Sequence, residues 1–364
     1  MTLDFLMNNQ ILLSLILCSR NDSYMGNSRW RLETSINLAL LNAKDANFLD
    51  ELEIIVSDWG SEVPLSDVLN LDPEAKGRVK FVHVPPDIAQ VEQKDSKFPE
   101  VIALNAAANR ASGEYIGRID NDTVVGTDFF HKFEQFHKSN PSEELDLNDS
   151  FLFVERKSVP YRISRLSLPL PLISVFIKFF SNFLKVESAK DWGREFWWSP
   201  VGIMMFHRDI WMATQGYDEN LIYWGWMEGD LALRLGQKHQ VVEFSKYVGY
   251  NFYHLEHYSN LTEYKDRNGT ATPRKKNPVL TENLSYTVNQ PSWGLIDHKI
   301  NFHDFSPTAL KKSNVYSVLA IPRLLFGCWF LIYDISLSAL KNLCNLYVSP
   351  LRMLIGKFRQ KVFN

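Results

Sequence analysis

Apolar segments of strand length alternate with helical segments through the first 120 residues of the chain. Residues 11–19 form a continuous apolar run, and residues 35–51 show the apolar spacing of a helix. The alternation continues with apolar runs at 52–61, 79–86 and 114–120 and with an alanine-rich helical segment at 99–113. This order predicts an α/β fold in which helices flank a mostly parallel sheet.

Polar residues end three of these apolar runs. They are Arg20, Asn21 and Asp22 after the first run, Asp58 in the second, and Asp120, Asn121 and Asp122 at the run that covers 114–120. Because ligands of open parallel sheets bind beyond the carboxyl ends of the strands, we expect these side chains to face one crevice.

Two of these carboxylates, on Asp120 and Asp122, stand one residue apart. Carboxylates at this spacing can both turn toward one divalent cation, and hard oxygen ligands suit Mg²⁺ or Mn²⁺, which in turn bind phosphate oxygens. A pair of aspartates by itself more often belongs to a solvated turn. The metal-binding interpretation therefore depends on the buried strand that precedes the pair.

Four segments of the sequence, taken in order, resemble the inverting GT-A glycosyltransferases of the family 2 type. They are SLILCSRND, LEIIVSDWGS, LNAAANRASGEYIGRIDNDTVV and GYDENLIYWGWMEGDLALRL. The resemblance covers residues 10–260. It implies the GT-A fold, a Rossmann-like nucleotide-diphospho-sugar transferase fold, with a galactosyltransferase-type acceptor region toward the C-terminus.

The resemblance also implies an activity and its substrates. The enzyme would be a hexosyltransferase-type glycosyltransferase that depends on a divalent cation and inverts the anomeric centre. Its donor would be a nucleotide-diphosphate sugar, with a UDP-sugar favoured. Its acceptor would be a hydroxyl of a glycan or a lipid-linked glycan, as in polysaccharide biosynthesis.

Single residues take roles from the same resemblance. The nucleotide-sugar-binding positions are Arg20, Asn21, Asp22 and Asp58 at the base and ribose, Asn105 and Arg110 along the diphosphate, and Asn121 against the ribose. Asp120 and Asp122 match the metal-binding aspartates. The chain departs from the family at Trp59, where a second aspartate is common.

An acidic pair, Glu228 and Asp230, opens a helical segment in the second half of the chain. Carboxylates at a helix N-terminus stabilise it through the helix dipole and as caps, so capping alone would account for the pair. By resemblance, Glu228 is the general base, and Asp230 orients the acceptor or the base. Arg234 can pair with Asp230 at a spacing of four residues.

Two histidines, His254 and His257, follow the acidic helix. Relatives that use a histidine as a further metal ligand place it there, and His257 is the preferred ligand with His254 in support. A hydrogen-bonded structural histidine is the alternative for either one.

Tryptophans are concentrated near the same segment, and aromatic faces match the apolar face of a sugar ring. Trp224 and Trp226 flank Glu228 and are the preferred stacking residues, with Trp198 as a third. Core packing accounts equally well for any single one of them.

The sequence suggests three regions. They are a catalytic domain at 1–265 (nucleotide-sugar half at 1–135, hydrophobic insertion at 150–190, acceptor half at 190–265), a mobile loop and linker at 266–314, and an amphipathic helical region at 315–364. Apolar residues and spaced lysines and arginines in the last region are typical of helices that lie on an anionic membrane surface. Helices packed on the catalytic domain would show the same pattern.

The amino-acid composition limits the classes of binding partner and the cellular compartments that are expected for the protein. A net charge of −3 argues against nucleic acid as the main partner. Three cysteines do not form a disulfide framework and indicate a reducing compartment. The sequence therefore predicts a cytoplasmic protein, which membrane binding by its C-terminal region would place on the cytoplasmic face of the inner membrane.

Two other functions remain open at the level of the sequence. One is a nucleotide-sugar-binding or carbohydrate-binding protein without catalysis. The other is a nucleotidyltransferase, which also uses paired carboxylates and a metal, but whose glycine-rich basic loop is poorly matched by SRNDSYMGNSRW.

Overall fold

The computed structural model describes residues 10–139, 145–187, 201–257, 263–265, 271–273, 275–278 and 285–306. Contacts divide the chain into two compact units, Met1–Lys312 and Ser313–Asn364. The second unit, with the predicted amphipathic region at 315–364, lies outside the described residues, as do Trp198 and parts of the predicted loop at 266–314.

Four parallel strands form the amino-terminal half of the central sheet. They are β1 (Leu13–Ser19), β2 (Leu52–Trp59), β3 (Val79–Val84) and β4 (Tyr115–Arg118). They lie in the order β3-β2-β1-β4, and Ser19 at the end of β1 pairs in register with Asp58 at the end of β2. Both faces of these strands are covered, which is why they appear in the sequence as continuous apolar runs.

Helices cover the two faces of this sheet. The helices of the first half are α1 (Ser28–Asp45), α2 (Leu65–Val68), α3 (Pro86–Gln93), α4 (Glu100–Ala108) and α5 (Thr127–Ser139). Alternate β1 side chains enter two separate cores, with Leu15 on the side of α1 and α5 and Ile16 on the side of α4. The predicted α/β fold, with helices flanking the sheet, is confirmed.

The second half of the chain extends the same sheet. Its strands are β5 (Thr123–Val125), β6 (Ser150–Val159), β7 (Val186–Glu187), β8 (Val201–His207), β9 (Gln240–Glu243), β10 (Phe252–Leu255) and β13 (Asn301–Asp304). The order continues β4-β8-β6-β10-β5, with β13 beside β3 at the other edge. Several of these neighbours are antiparallel, so the extended sheet is mixed. The segment predicted as an insertion at 150–190 begins with β6, which is a strand of the central sheet.

The remaining elements are short. They are α6 (Tyr161–Ser164), α7 (Leu170–Phe180), α8 (Arg208–Thr214), α9 (Met227–Leu235), α10 (Ser245–Val248) and the hairpin strands β11 (Glu263–Lys265) and β12 (Ala271–Pro273). Among the described residues, every helix is too short or too polar to cross a bilayer.

Candidate active site

One arginine side chain contacts three carboxylates beyond the end of β4. Arg118 is the last residue of that strand and is only 4% exposed. Its Nη2 atom lies 2.7 Å from Glu100 Oε1, 2.7 Å from Asp120 Oδ1 and 3.3 Å from Glu228 Oε1. The predicted general base and one aspartate of the predicted metal pair therefore share a single buried cation.

A second arginine continues this arrangement from β6. Arg156 Nη1 lies 2.5 Å from Asp120 Oδ2, and Arg156 Nε lies 2.8 Å from Glu187 Oε2. Both carboxylate oxygens of Asp120 thus contact arginines. Glu187, in β7, also lies 3.8 Å from His254 Nδ1, so the charged groups form one continuous series toward the histidines.

Asp122 and the two predicted histidines converge at the far end of this series. Asp122 Oδ1 lies 3.6 Å from His254 Nε2, and Asp122 Oδ2 lies 3.4 Å from His257 Nε2. The sheet produces this proximity, because His254 in β10 pairs with Thr123 in β5 and the Leu255 N–H donates to the Asp122 carbonyl. Arg31 Nε, from α1, approaches Asp122 Oδ2 to 3.5 Å.

These three residues fit a divalent cation. One ligand atom from each of Asp122, His254 and His257 lies within 4.8 Å of the other two. An ion about 2.1 Å from each ligand holds neighbouring ligand atoms roughly 3.0–3.4 Å apart, close to the 3.6 and 3.4 Å between Asp122 and the two histidines. Glu187 Oε2 lies 3.8 Å from the second nitrogen of His254, on the side where an outer carboxylate commonly orients a metal-binding imidazole.

Asp120 lies outside this three-residue group. Its two oxygens face Arg118 and Arg156, whereas Asp122 faces the histidines. The two aspartates thus turn to different partners, and a metal-binding role for Asp120 stays a prediction.

The electrostatic environment keeps this region charged. Burial opposes ionisation of Asp122, but His254, His257 and Arg31 hold its pKa well below the usual value. Burial and Arg156 disfavour protonated His254, yet Asp122 and Glu187 raise the pKa of that histidine overall. Burial likewise opposes ionisation of Glu187, while His254 and Arg156 lower its pKa to about 2.

Glu100 is the exception among the acids. It is the first residue of α4, and 36% of its side chain is exposed. Desolvation of its carboxylate raises its pKa to about 7; Arg118 opposes the increase, while Glu228 and Asp120 contribute to it.

The loop after β1 carries three of the predicted nucleotide-binding residues. Arg20 Nε donates to Asp22 Oδ2 at 2.8 Å, and its guanidinium carbon lies 5.7 Å from the centre of the Phe98 ring. Asn21 Nδ2 donates to the Val63 carbonyl at 2.9 Å. Arg20 and Asn21 are part-exposed and directly follow β1, and their nucleotide-binding roles stay predictions.

Asp58 and Asn105 are completely buried and hold neighbouring loops. Asp58 accepts hydrogen bonds from the Ser61 hydroxyl and from the Leu65 N–H at 2.7 Å, and His83 Nδ1 lies 3.1 Å from it. Asn105 donates to the Tyr217 carbonyl at 2.8 Å and accepts from the Tyr217 N–H at 2.9 Å. Their contacts within the protein give both residues a structural role, and their nucleotide-binding roles stay predictions.

Two further predicted site residues, Arg110 and Asp230, form hydrogen bonds within the protein. Arg110 Nη1 donates to the Gly294 carbonyl at 3.1 Å, which connects α4 to a later loop. Asp230 is 1% exposed and accepts from Arg234 Nε at 2.8 Å, while Arg234 donates to the Gly216 carbonyl. The predicted pair of Asp230 and Arg234 is confirmed.

The aromatic residues before α9 border the same region. Trp224 is 40% exposed, and Lys276 Nζ lies 5.7 Å from the centre of its ring. Trp226 is part-exposed and directly precedes α9, with a left-handed φ of 71°. The Asn277 side chain donates to the Tyr223 carbonyl at 2.8 Å and to the Gly225 carbonyl at 2.6 Å, which fixes this turn.

Sequence reasoning missed the residues that connect the two halves of the site. They are Arg31, Glu100, Arg118, Arg156 and Glu187. A signal was present for one of them, because Arg118 ends an otherwise apolar strand, where burial of its charge requires an oppositely charged partner.

Comparison with solved structures identifies similarity to S. aureus TarS, at 14% identity and a TM-score of 0.35, over 67% of this chain and 36% of that chain. The structure of S. aureus TarS 1–349 matches at 15% identity and a TM-score of 0.35, over 67% and 60% of the two chains. The same fragment in complex with UDP matches at 12% identity and a TM-score of 0.36, over 66% and 60%.

The chain therefore spans between 36% and 60% of these three TarS structures. No family model and no curated protein matches the sequence. Similarity at this level does not bear on substrate or activity, so function has to be inferred from the residues of the site.

Proposed function

We propose that this protein is a metal-dependent, inverting glycosyltransferase that uses a nucleotide-diphosphate sugar. The observation that carries the proposal is the convergence of Asp122, His254 and His257. Glu187 lies beside His254 and contacts Arg156. Arg156 in turn contacts Asp120, which also contacts Arg118. Arg118 in turn contacts Glu228. A series of charged contacts thus connects the candidate metal-binding residues to the carboxylate of Glu228. It lies near the carboxyl end of β4, and α/β sheets bind ligands at the carboxyl ends of their strands.

Asp122, His254 and His257 would hold Mn²⁺ or Mg²⁺. When bound, the cation would neutralise charge on the departing nucleoside diphosphate. The surroundings of His254 suit this role, because Asp122 lies 3.6 Å from its Nε2 atom and Glu187 lies 3.8 Å from its Nδ1 atom.

Arg118 and Arg156 would assist at the diphosphate. Arginine presents a planar set of donors that matches phosphate oxygens. Both arginines contact Asp120, and we expect a bound diphosphate to compete with this carboxylate for them. Asp120 would then control the charge balance beside the cation.

Glu228 would act as the general base. Its side chain is 28% exposed at the start of α9, so an acceptor hydroxyl can reach it, and Arg118 holds its carboxylate. Glu228 would accept the hydroxyl proton as the oxygen bonds to the anomeric carbon. The bond to the diphosphate breaks on the opposite face, and its electron pair leaves with the diphosphate.

The remaining predicted residues would bind substrates or position the base. Trp224 and Trp226 directly precede α9 and would stack on the acceptor sugar. Arg20, Asn21 and Asp22 border the same sheet edge and would contact the nucleoside. Asp230 supports the base indirectly, because its bond to Arg234 fixes α9.

A screen of nucleotide sugars with Mn²⁺ tests the proposal. We expect one donor, with a UDP-sugar favoured, to release its nucleoside diphosphate and to transfer its sugar to a glycan or lipid-linked acceptor. Glu228→Gln should bind this donor normally but reduce turnover about 10²-fold or more. Glu134→Gln, on α5, is the matched control and should retain full activity.

Three results would contradict the proposal. Release of pyrophosphate would indicate a nucleotidyltransferase. Donor binding without transfer to any glycan would indicate a binding protein. Full turnover by Glu228→Gln would show that another residue is the base.

A further inference from the structure

The helix α7 carries an apolar face that points to solvent. Its inward face is formed by Ile173, Phe176 and Ile177, which are buried. On the outward face Val175 is 45% exposed and Phe179 is 73% exposed, and Phe183, just beyond the helix, is 64% exposed. Large apolar side chains exposed together on one helix face are costly in water and mark an interaction surface. We refer to Val175, Phe179 and Phe183 as the α7 face.

The charged residues of the segment that carries the α7 face have one sign. The sequence from residue 157 to residue 186 contains no aspartate or glutamate. It contains five cationic residues, Lys157, Arg162, Arg165, Lys178 and Lys185. Lys178 directly precedes Phe179, and both side chains are exposed. Apolar and cationic groups on one surface complement a partner that is apolar inside and negatively charged outside.

The segment that carries this face begins and ends beside the candidate active site. At its start, Glu256, the residue before His257, accepts hydrogen bonds from the Ser158 hydroxyl and from the Tyr161 N–H at 2.9 Å. At its end is Glu187, which contacts Arg156 and His254. A surface bound to the α7 face would therefore lie next to the segment that connects to the site.

We propose that the α7 face docks the protein onto an anionic lipid bilayer. An amphipathic helix with exposed phenylalanines enters the boundary between headgroups and acyl chains, and nearby lysines and arginines bind anionic headgroups. The eleven residues of α7 suit binding parallel to the surface, since they are too few to span a bilayer. This inference does not depend on the proposed glycosyl transfer.

Vesicle co-sedimentation of the full chain tests this inference without any substrate. Vesicles of phosphatidylglycerol mixed with phosphatidylcholine should bind the protein, and vesicles of phosphatidylcholine alone should bind it at least about tenfold more weakly. The double variant Phe179→Ser with Phe183→Ser should weaken binding about tenfold or more, because two apolar groups no longer enter the bilayer. Lys178→Gln should weaken it about fivefold.

Val91→Ser is the matched control, because Val91 is an equally exposed apolar residue (70%) on α3. It should bind vesicles like the unchanged protein. All variants alter exposed side chains, and circular dichroism should give one melting temperature for the whole set.

Three outcomes would overturn the inference. The first is no binding to anionic vesicles. The second is equal binding by the unchanged protein and the double phenylalanine variant, which would assign the membrane contact to another part of the chain. The third is a dimer in analytical ultracentrifugation that the double variant abolishes, which would make the α7 face an interface between two copies.

Discussion

Arg156 reaches from β6 to Asp120, with 2.5 Å between Nη1 and Oδ2. The same guanidinium contacts Glu187, which lies beside His254. This one side chain therefore joins the acid next to Arg118 to the histidines next to Asp122. A substitution beside Arg118 should therefore affect the histidines, and the reverse, because these charged groups interact with one another through Arg156.

Replacing Arg156 by methionine should destabilise the protein. The change keeps most of the side-chain volume but leaves Asp120 and Glu187 without their common cation. Breaking a buried ion pair from one side costs about 3 kcal/mol, and urea denaturation would measure the loss. The control is Arg29→Met, because the Arg29 side chain is 60% exposed and its pair with Glu33 is long, at 3.9 Å. A loss no larger than in the control would show that Arg156 does not hold this network together.

Metal affinity should rise with pH. Bound metal requires neutral His254, whose pKa Asp122 and Glu187 raise against the effects of burial and Arg156. Titration of Mn²⁺ by calorimetry should show affinity that increases up to this raised pKa and levels off above it. Constant affinity from pH 6 to pH 9 would mean that His254 is not a ligand.

The free energy of unfolding of the metal-free protein should also depend on the protonation of His254, but this contribution should fall as the pH rises. A raised pKa in the folded state means that the folded protein binds the proton more tightly than the unfolded chain. The contribution of His254 is then fully present below its ordinary pKa of about 6.5 and is lost as the pH rises through the raised value. Urea denaturation of the unchanged protein and of His254→Gln across this range would measure it, and two parallel curves would contradict it.

Glu100 should introduce a titration near neutral pH. Its pKa of about 7 means that Arg118 gains or loses a charged neighbour there. We expect the pH profile of turnover to bend near pH 7 and expect Glu100→Gln to remove this bend. Stability relative to the glutamine variant should fall as the pH rises from about 4.5 to about 7, because only the unfolded chain ionises readily in that interval. An unchanged profile in the variant would assign the bend to another group.

Asn277 should rigidify the turn that carries Trp224. Its amide NH2 group donates to the carbonyls of Tyr223 and Gly225, and its carbonyl oxygen accepts from the Tyr223 N–H. Asn277→Ala removes these bonds and should cost about 2 kcal/mol locally. Amide hydrogen exchange at Tyr223 should accelerate about 30-fold. The control is Asn220→Ala, because the Asn220 side chain bonds only to Asp218 in the described contacts and is exposed. Equal exchange in both variants would contradict the assignment.

The first half of the fold was predictable because each strand has both faces buried. Continuous apolar runs such as the one ending at Ser19 have few alternatives to a central parallel strand. The second half was less predictable because β8 and β6 enter the sheet from distant parts of the chain. The antiparallel pairing of Gly117 with Met205, for example, depends on contacts that no local pattern encodes.

Some contacts of the candidate site could likewise be predicted from the sequence, and others could not. The convergence of Asp122 with His254 and His257 could be predicted from motif order, since each belongs to a recognisable segment. The contacts of Arg118 and Arg156 could not, because they depend on the register of neighbouring strands. Asp58, Asn105 and Asp230 show the reverse difficulty. Family resemblance assigned them to substrate binding or to positioning the base, and each is buried and hydrogen-bonded within the protein, so those roles stay predictions.

Calorimetric titration of Mn²⁺ into the full chain at pH 8 would show whether Asp122, His254 and His257 bind a metal ion. We expect one binding site in the unchanged protein and at least tenfold weaker binding in Asp122→Asn and in His257→Ala. His298→Ala, at an exposed histidine far along the chain, should bind Mn²⁺ like the unchanged protein. Equal affinity in all four proteins would contradict a metal site at Asp122, His254 and His257, and with it the metal-dependent transfer proposed here.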